Sequence, residues 1–366
     1  MKVLPVYLLR SNLFLLFLIL CVGIGIFLLA DMFERLDDFL SVGIGADTVI
    51  YYFLLKLPNI IYLIMPAVYL VSVIMQLHFL KRNNELTALQ SGGIRPNVIL
   101  SMILVYSVLL ACILFIFGQA IGITQEREAA RIWQEKVRGN VLEESHIDGL
   151  WFKEERNIIH VDKVYIARKT GSNIIVYKVD EKGKSIDEII KAQEFRILPD
   201  GVWKLENVVR LVPSEYRAEK LESTELHIQQ DLQAFQVVGR QMGMDPGRLT
   251  MLELYRAIRH LEQAGSNVEM LRTALFAKPA YAFSIIVMGL IALMVTRSIG
   301  NIYAALAVGT LVVFFYHTIN AVCVSMGEKN IISPVAGAWA ADMLFLCAGA
   351  LWSAAPVLAG KLRDGR

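Results

Sequence analysis

The sequence predicts an α+β membrane protein: six transmembrane helices, with an antiparallel β domain inserted between the third and the fourth. Three observations predict it. Hydrophobic residues fill 55% of the 366 positions and Asp, Glu, Lys and Arg only 19%, which is not the balance of an ordinary water-soluble chain. The charge is unevenly spread: residues 120–272 hold 48 of the 70 charged side chains, leaving 22 for the other 213 residues. Inside that charged middle, long apolar runs give way to alternation of apolar and polar residues.

A helix needs about 20 mostly apolar residues to cross ~30 Å of hydrocarbon. Six stretches qualify, at 11–33, 55–80, 97–119, 275–296, 302–324 and 335–358. The first is expected to be a retained helix and not a secretory signal, because its apolar run is long, lacks a small-x-small cleavage site and is followed by further spans. Val49 to Leu57 is aromatic and apolar with one lysine, so an interfacial helix should lead into the second span across Pro58. Pro66 lies within that span and should kink it unless a neighbour satisfies the freed carbonyl.

Cytoplasmic loops retain Lys and Arg. With the N-terminus inside, that side collects Lys2, Arg10, Lys81, Arg82, Arg95, Arg297, Lys361, Arg363 and Arg366. The opposite side has only Arg35, Lys56, Lys278 and Lys329 near its span ends. Both termini are therefore expected in the cytoplasm and the charged middle outside. The expected divisions are 1–119 for helices one to three, with a short cytoplasmic helix near 83–92, then 120–272 for the β domain with helical connectors, and 273–366 for helices four to six.

Within the β domain Thr224, Leu226, Ile228 and Leu232 fall on one face of a strand, and Glu225, His227, Gln229 and Asp231 on the other. Trp203, Leu205, Val209 and Leu211 repeat the alternation, as does Asn173 to Val179. Turn signals at Thr170-Gly171-Ser172-Asn173, Glu181-Lys182-Gly183-Lys184 and Pro199-Asp200-Gly201 separate these runs, as in an antiparallel sandwich or open roll. Residues 121–138 should continue the third span as a charged helix. Residues 249–263 read as a second connector, with Leu249, Leu252, Tyr255, Ile258 and Leu261 as its stripe, Thr250 and Glu253 at capping-box spacing, and Gly265 as its stop.

The net charge of +2 arises from 36 basic and 34 acidic residues with no basic stripe, which argues against nucleic acid as a partner. No G-x-x-x-x-G-K-[ST] loop is present, since Lys178 stands where the first glycine before Gly183-Lys184-Ser185 should be. There is no H-E-x-x-H, no zinc-like His/Cys spacing and no G-x-S-x-G elbow. The acid pairs Glu143-Glu144 and Glu154-Glu155 lie in charged, solvated stretches. Cys21, Cys112, Cys323 and Cys347 all sit in apolar runs and read as packing residues. The expectation is no catalytic residue, no metal and no intrinsic cofactor.

Polar residues do appear where they are expensive. Asp342 lies about 12 Å into the last span at ~1.5 Å per residue, and such a group usually faces a bundle interior or wet cavity. His317 and Asn320, three apart on the fifth span, suit interhelical hydrogen bonds. Arg35, Lys56, Arg272, Lys278 and Lys329 should ring the outer headgroup plane, where they could meet the phosphates of an anionic lipid or simply snorkel.

The segment Lys81-Arg82-Asn83-Asn84-Glu85-Leu86-Thr87-Ala88-Leu89-Gln90-Ser91-Gly92-Gly93 resembles the coupling helix of the LptF/LptG permease family, the membrane subunits of the bacterial lipopolysaccharide exporter. Pro58 and Pro66-Ala67 are similar to the second span of that family. Gly149-Leu150-Trp151-Phe152-Lys153 resembles the G-L-W-x-K opening of the LptG β domain more than its LptF counterpart. His260-Leu261-Glu262-Gln263-Ala264-Gly265 and then Pro279 resemble the return to the membrane. Together the matches cover nearly the whole chain.

The resemblance implies a permease subunit of an ATP-driven ABC transporter in the inner membrane, extracting lipopolysaccharide and passing it to a periplasmic bridge for export to the outer membrane. It implies a periplasmic, jelly-roll-like β domain, a heterodimer with the paralogue LptF, two copies of an LptB-type ATPase that bind the ATP and Mg, and LptC-type and LptA-type bridge partners. It casts Glu85, Leu86 and Leu89 as ATPase-coupling residues. Trp203, Leu205, Leu226 and Ile228 become candidates for a trough that shields acyl chains from water. In one respect the chain departs from the family: some members carry several basic residues at the outer end of the first helix, where this chain has Asp31, Glu34, Asp37 and Asp38 with only Arg35. The phosphate contacts could have moved to Lys56, Lys278 and neighbours, or divalent cations could bridge acid to phosphate. The competing reading is a non-transporting scaffold whose β domain docks envelope-assembly proteins, and behind it a membrane-embedded enzyme using Asp342 and His317.

Overall fold

The structure, a computed structural model, describes residues 3–138, 146–154, 156–165, 169–180, 185–198, 202–213, 217–227, 246–263 and 268–364. It divides into two compact units, Met1–Ala130 with Thr273–Arg366, and Arg131–Arg272. The first holds the long helices and the second the sheet.

The helical unit begins with α1 (Val3–Val42), α2 (Ala46–Arg82), the short α3 (Glu85–Ser91) and α4 (Pro96–Phe117). Among the described residues six helices are long and apolar enough to cross a membrane, and the first overruns the span expected from hydropathy by about two turns at either end. Local chemistry explains the limits. Gly43 closes α1 with a left-handed φ of 72°; its N–H and that of Ile44 bond back to Leu40 and Phe39, the Schellman pattern that glycine adopts without strain. Gly93 ends α3 the same way, with bonds from Gly93 to Gln90 and from Ile94 to Leu89.

The separate interfacial helix expected before Pro58 is absent as such, because Val49 to Leu57 forms the opening turns of one unbroken α2 containing both Pro58 and Pro66. The Pro66 ring removes a helical donor. The carbonyl left without that donor is Tyr62's; one residue on, the Tyr281 hydroxyl donates to the Leu63 carbonyl at 2.5 Å and ties α2 to Tyr281's helix at this point.

Beyond α4 the helix widens into a π turn (Gly118–Gly122), continues as α5 (Ile123–Ile132) and widens again over Trp133–Val137, so the charged continuation of the third span is helical as expected. Gly118 has no room for a side chain, since a Cβ there would stand 2.6 Å from the Tyr62 ring. In the second unit, a 3-10 turn (Pro246–Arg248) precedes α6 (Met251–Gln263). The return helices are α7 (Glu269–Ser298), whose first turn counts with the second unit and whose remainder from Thr273 belongs to the first, then α8 (Ile302–Glu328) and α9 (Pro334–Asp364). Asn301 caps α8, accepting from the Tyr303 amide at 2.8 Å. α2 and α7 form the centre: 61% of the most apolar window of each is buried, against 11% for α1. Tyr69, Val73, Ile74, Val287, Met288 and Ala292 make much of this core.

In the sheet six antiparallel strands lie in sequence order: β1 (His146–Glu154), β2 (Asn157–Tyr165), β3 (Thr170–Val179), β4 (Ile186–Ile197), β5 (Val202–Val212) and β6 (Arg217–His227). Ile159, Val161, Ile174, Val176, Ile190, Phe195, Trp203 and Leu205 fill the buried face. Glu188 is buried among them but accepts from Lys178 at 3.4 Å and from Arg210. That bond and charge push the Arg210 guanidinium above its usual pKa.

The sheet carries a crease that simple alternation does not anticipate. Every ladder misses one rung, leaving Gly149, Asp162, Asn173, Gln193, Asn207 and Glu222 in a line across the strands. At that line the buried set changes phase, from Val161 to Val164 in β2, Ala192 to Phe195 in β4, and Leu205 to Val208 in β5. Asn173 and Asn207 are left-handed, at φ 52° and 54°. One unpaired residue on each strand interrupts every ladder at this line while the register on either side of it stays the same; the register shift lies elsewhere, between Lys178 and Val179 in the β3–β4 ladder. Two expectations are corrected as a result. Val208, not Val209 or Leu211, joins Trp203 and Leu205 inside, and Thr170 to Asn173 is part of β3 and not a turn. The turns at 181–184 and 199–201, and Ile228 and Leu232, lie outside the described residues.

The capping box of α6 is reciprocal: the Thr250 amide donates to Glu253 Oε2 at 2.8 Å and the Glu253 amide to Thr250 Oγ1 at 3.3 Å. The expected stripe is corrected, for Leu254, Ala257, Ile258 and Leu261 are buried while Leu252 and Tyr255 face outward. Gly265 lies outside the described residues.

Candidate functional site

Four places collect the residues singled out from the sequence. At the first, α3 hangs between the ends of α2 and α4. Leu86 and Leu89 turn inward and pack partly against the bundle core, which leaves Thr87, Ala88, Gln90 and Ser91 as the exposed surface of the turn. Glu85 is held at both oxygens, accepting from Tyr7 Oη of α1 at 2.7 Å and from Asn83 Nδ2 at 3.3 Å. Around it Tyr106 of α4 donates to the Pro5 carbonyl, and Lys81 donates at 2.5 Å to the Thr296 carbonyl in the last turns of α7. α3 is thus wired to α1 by a hydrogen bond, while α1–α4 and α2–α7 bonds tie the neighbouring helices. The linking roles of Tyr7, Tyr106 and Lys81 are not marked in the sequence beyond two tyrosines near apolar ends.

At the second place Asp31 of α1 binds two of the rim cations at once. Arg35 Nε stands 3.0 Å from Oδ1 and Lys56 Nζ of α2 stands 2.6 Å from Oδ2. The Lys56 ammonium also lies 5.5 Å from the centre of the Tyr52 ring. The three side chains are largely withdrawn from solvent, at 29% exposure for Arg35, 12% for Lys56 and 9% for Asp31, and the Glu34 carboxylate also acts on Arg35, so acid and base are nearly balanced around this cluster. The acid that marks the departure from the family is what joins the two cations. Lys278 is buried on α7 and Lys329 is exposed at the end of α8. Arg272 belongs to the other unit and is paired with Glu262 and Glu269.

The third place is Asp342, buried on α9. Tyr316 of α8 donates to its Oδ1 at 2.9 Å, and its Oδ2 has no hydrogen-bond partner among the described residues. Tyr316 is itself fixed by ring contacts to Phe345 and His317, at 5.4 and 5.5 Å between centres. His317 also faces the Tyr281 ring at 6.4 Å. Asn320 is half-buried. The hydrogen bond that joins α8 to Asp342 therefore comes from Tyr316, and from neither of the two polar residues singled out on that helix.

The fourth place is the sheet's apolar face. Trp203 and Leu205 are covered by the protein itself: the Trp203 ring stacks on Phe195 at 4.9 Å and 10°, and both residues are essentially inaccessible. The open trough expected there is closed in this structure. Leu226, opposite Trp203 on β6, is the reachable member of the set. Ile228 lies outside the described residues. Among the described residues no three His, Cys, Asp or Glu side chains gather as a metal site would require, and the four cysteines are free thiols.

A family model described as lipopolysaccharide export system permease LptF/LptG matches residues 6–355, nearly the whole chain. The match does not separate LptG from LptF. No curated protein matches the chain.

Proposed function

We propose a function from one premise: the chain belongs to the LptF/LptG family of lipopolysaccharide export permeases, and with six helices among its described residues able to cross a membrane it is an inner-membrane protein of that kind. From that premise we propose that it is the permease subunit of an ATP-driven exporter that lifts lipopolysaccharide out of the inner membrane and hands it to a periplasmic bridge. The family match over residues 6–355 carries this reading. In it both termini are cytoplasmic and the sheet is periplasmic, in keeping with nine basic residues against four at the span ends. Residues 1–119, 120–272 and 273–366 serve as first helix set, export domain and second helix set. The partners are a paralogous permease, two LptB-type ATPases, LptC-type and LptA-type bridge proteins, and lipopolysaccharide itself.

In this reading the ATPase grips the α3 turn, and the Tyr7 to Glu85 bond carries its displacement into α1. Toward the other end of α1, Lys56 and Arg35 are the candidates to meet a lipid phosphate, with the Asp31 carboxylate holding the two cations at fixed spacing. Nucleotide and Mg stay with the ATPase, and no residue of this chain does covalent chemistry.

The closed sheet face also suits a scaffold that only docks proteins, because Trp203 and Leu205 are packed by the protein's own side chains. A photocrosslinker replacing Leu226 in cells separates the two. Export predicts capture of lipopolysaccharide that grows when ATP turnover is allowed; capture of protein alone would favour the scaffold.

A further inference from the structure

The buried stripe of α9 carries little apolar bulk. Among its described residues only Gly337, Ala338, Ala341 and Asp342 are buried, so the one side chain on that stripe with any reach is an acid. Asp342 and its partner Tyr316 on α8 are each 1% exposed. Their cover is local, because only 17% of the most apolar window of α8 and 22% of that of α9 are buried. Phe345 lies edge-on against the Tyr316 ring, and Trp339, about a turn before Asp342, meets Phe283 of α7 at 5.5 Å between ring centres. Two glycines set how closely α8 and α9 approach: a Cβ on Gly337 would stand 2.8 Å from Gly327 Cα and 3.0 Å from the Cys323 carbonyl oxygen.

A carboxylate offers about four acceptor sites, and a buried one is ordinarily met by several donors or by a cation. Asp342 meets one donor, the Tyr316 hydroxyl on Oδ1, and its Oδ2 meets none among the described residues. The polar groups on the helices around it are turned elsewhere. His317 of α8 faces the Tyr316 and Tyr281 rings. Tyr281 of α7 donates to the Leu63 carbonyl, and Ser284 donates to the Tyr281 carbonyl at 2.6 Å. Lys278, about a turn before Tyr281, is buried but is no partner of Oδ2. An unpaired charge at this depth costs so much that the group takes up a proton instead. A neutral acid fits the contacts as they stand: Oδ1 is the carbonyl oxygen that accepts from Tyr316, and Oδ2, which no donor approaches, carries the hydrogen. One unpaired neutral hydroxyl costs far less than one unpaired charge.

We propose that Asp342 is a proton-binding site inside the membrane, a neutral carboxylic acid at pH 7 with its proton on Oδ2 for as long as α9 lies against α8. Where the two helices part, water reaches the carboxyl. The O–H bond then breaks, its electron pair stays on Oδ2 and the proton passes to water; closing the contact reverses the step. The site is separate from the α3 turn and the Asp31 cluster and does not depend on export.

The test is infrared difference spectroscopy of the full chain in nanodiscs at pH 7, native minus Asp342→Asn. An ordinary aspartic acid is neutral in about one molecule in a thousand at that pH. Here the neutral form should be the majority, roughly 500-fold or more above that value. The expected result is a carbonyl band of a protonated carboxyl that is absent from Asp342→Asn and moves to lower frequency in heavy water. Tyr316→Phe should move it to higher frequency by taking the donor from Oδ1. Gly337→Ala, which wedges α9 away from α8, should convert part of the band into carboxylate signal, and Gly337→Leu more of it, with circular dichroism showing that the variants stay helical. A native spectrum without an Asp342-dependent acid band would overturn the site. An acid band that stays whole in both Gly337 variants would overturn its link to the helix contact.

Discussion

Replacing Tyr316 by Phe removes one hydroxyl and leaves the ring contacts to Phe345 and His317 in place. What disappears is the 2.9 Å bond to Asp342 Oδ1. Oδ2 already has no partner among the described residues, so the variant leaves a 1% exposed carboxyl without the donor from α8. Stranding a buried polar group costs about 1–3 kcal/mol. Interhelical hydrogen bonds in membranes average ~0.6 and reach ~1.7 kcal/mol, and complete burial puts this one toward the upper value. A double-mutant cycle isolates it. Tyr316→Phe should cost about 1–2 kcal/mol in the native background and less than about 0.5 kcal/mol once Asp342→Ala has removed the acceptor. Unfolding by dodecyl sulfate in mixed micelles, read by circular dichroism, supplies the free energies. Equal costs of Tyr316→Phe in both backgrounds would refute the idea that this bond fastens α8 to α9.

Gly171→Ala should destabilise the sheet by about 1–3 kcal/mol, because its Cβ would overlap the Phe195 ring and stand 2.5 Å from the Lys163 carbonyl oxygen; urea unfolding followed by tryptophan fluorescence checks it. Asn207→Val, which forces a branched side chain to φ 54°, should cost about 1–2 kcal/mol while Asn207→Gly is nearly neutral, a contrast readable by the same unfolding. Asp31→Ala should lower the melting temperature in neutral detergent by leaving Lys56, 12% exposed, without its carboxylate, at a cost of roughly 1–3 kcal/mol. Added lipopolysaccharide should restore more stability to this variant than to the native chain if its phosphates meet the same cations.

The parts of the fold set by length and local chemistry were readable from the residues. Six apolar runs became six long helices, and the Thr250 and Glu253 spacing became a reciprocal capping box. Pro66 marks a break in the α2 ladder, and the bond from Tyr281, distant in sequence, falls beside it on the Leu63 carbonyl, a contact no local pattern announces. The stripe on α6 failed for a geometric reason: five residues spaced by three rotate about 60° backward at each step, so Leu249, Leu252, Tyr255, Ile258 and Leu261 cannot share one face. The crease was hidden because alternation was extended through Asn207, although asparagine in a strand is itself a sign of left-handed backbone. At the candidate site Glu85 and Asp342 were visible as charges in unusual places. Their partners Tyr7 and Tyr316 were not, because a tyrosine in an apolar helix carries no mark of which neighbour its hydroxyl will meet.

The central claim is that this chain moves lipopolysaccharide when a partner ATPase pushes on α3. The direct measurement purifies the chain with its native partners, reconstitutes them into vesicles loaded with lipopolysaccharide, and follows transfer of the lipid to a soluble periplasmic acceptor with and without ATP. The account predicts ATP-dependent transfer from the native complex, and its loss in Glu85→Arg while that variant remains in the membrane. Transfer that ignores ATP, or Glu85→Arg that keeps both the ATPase and full transfer, would contradict it.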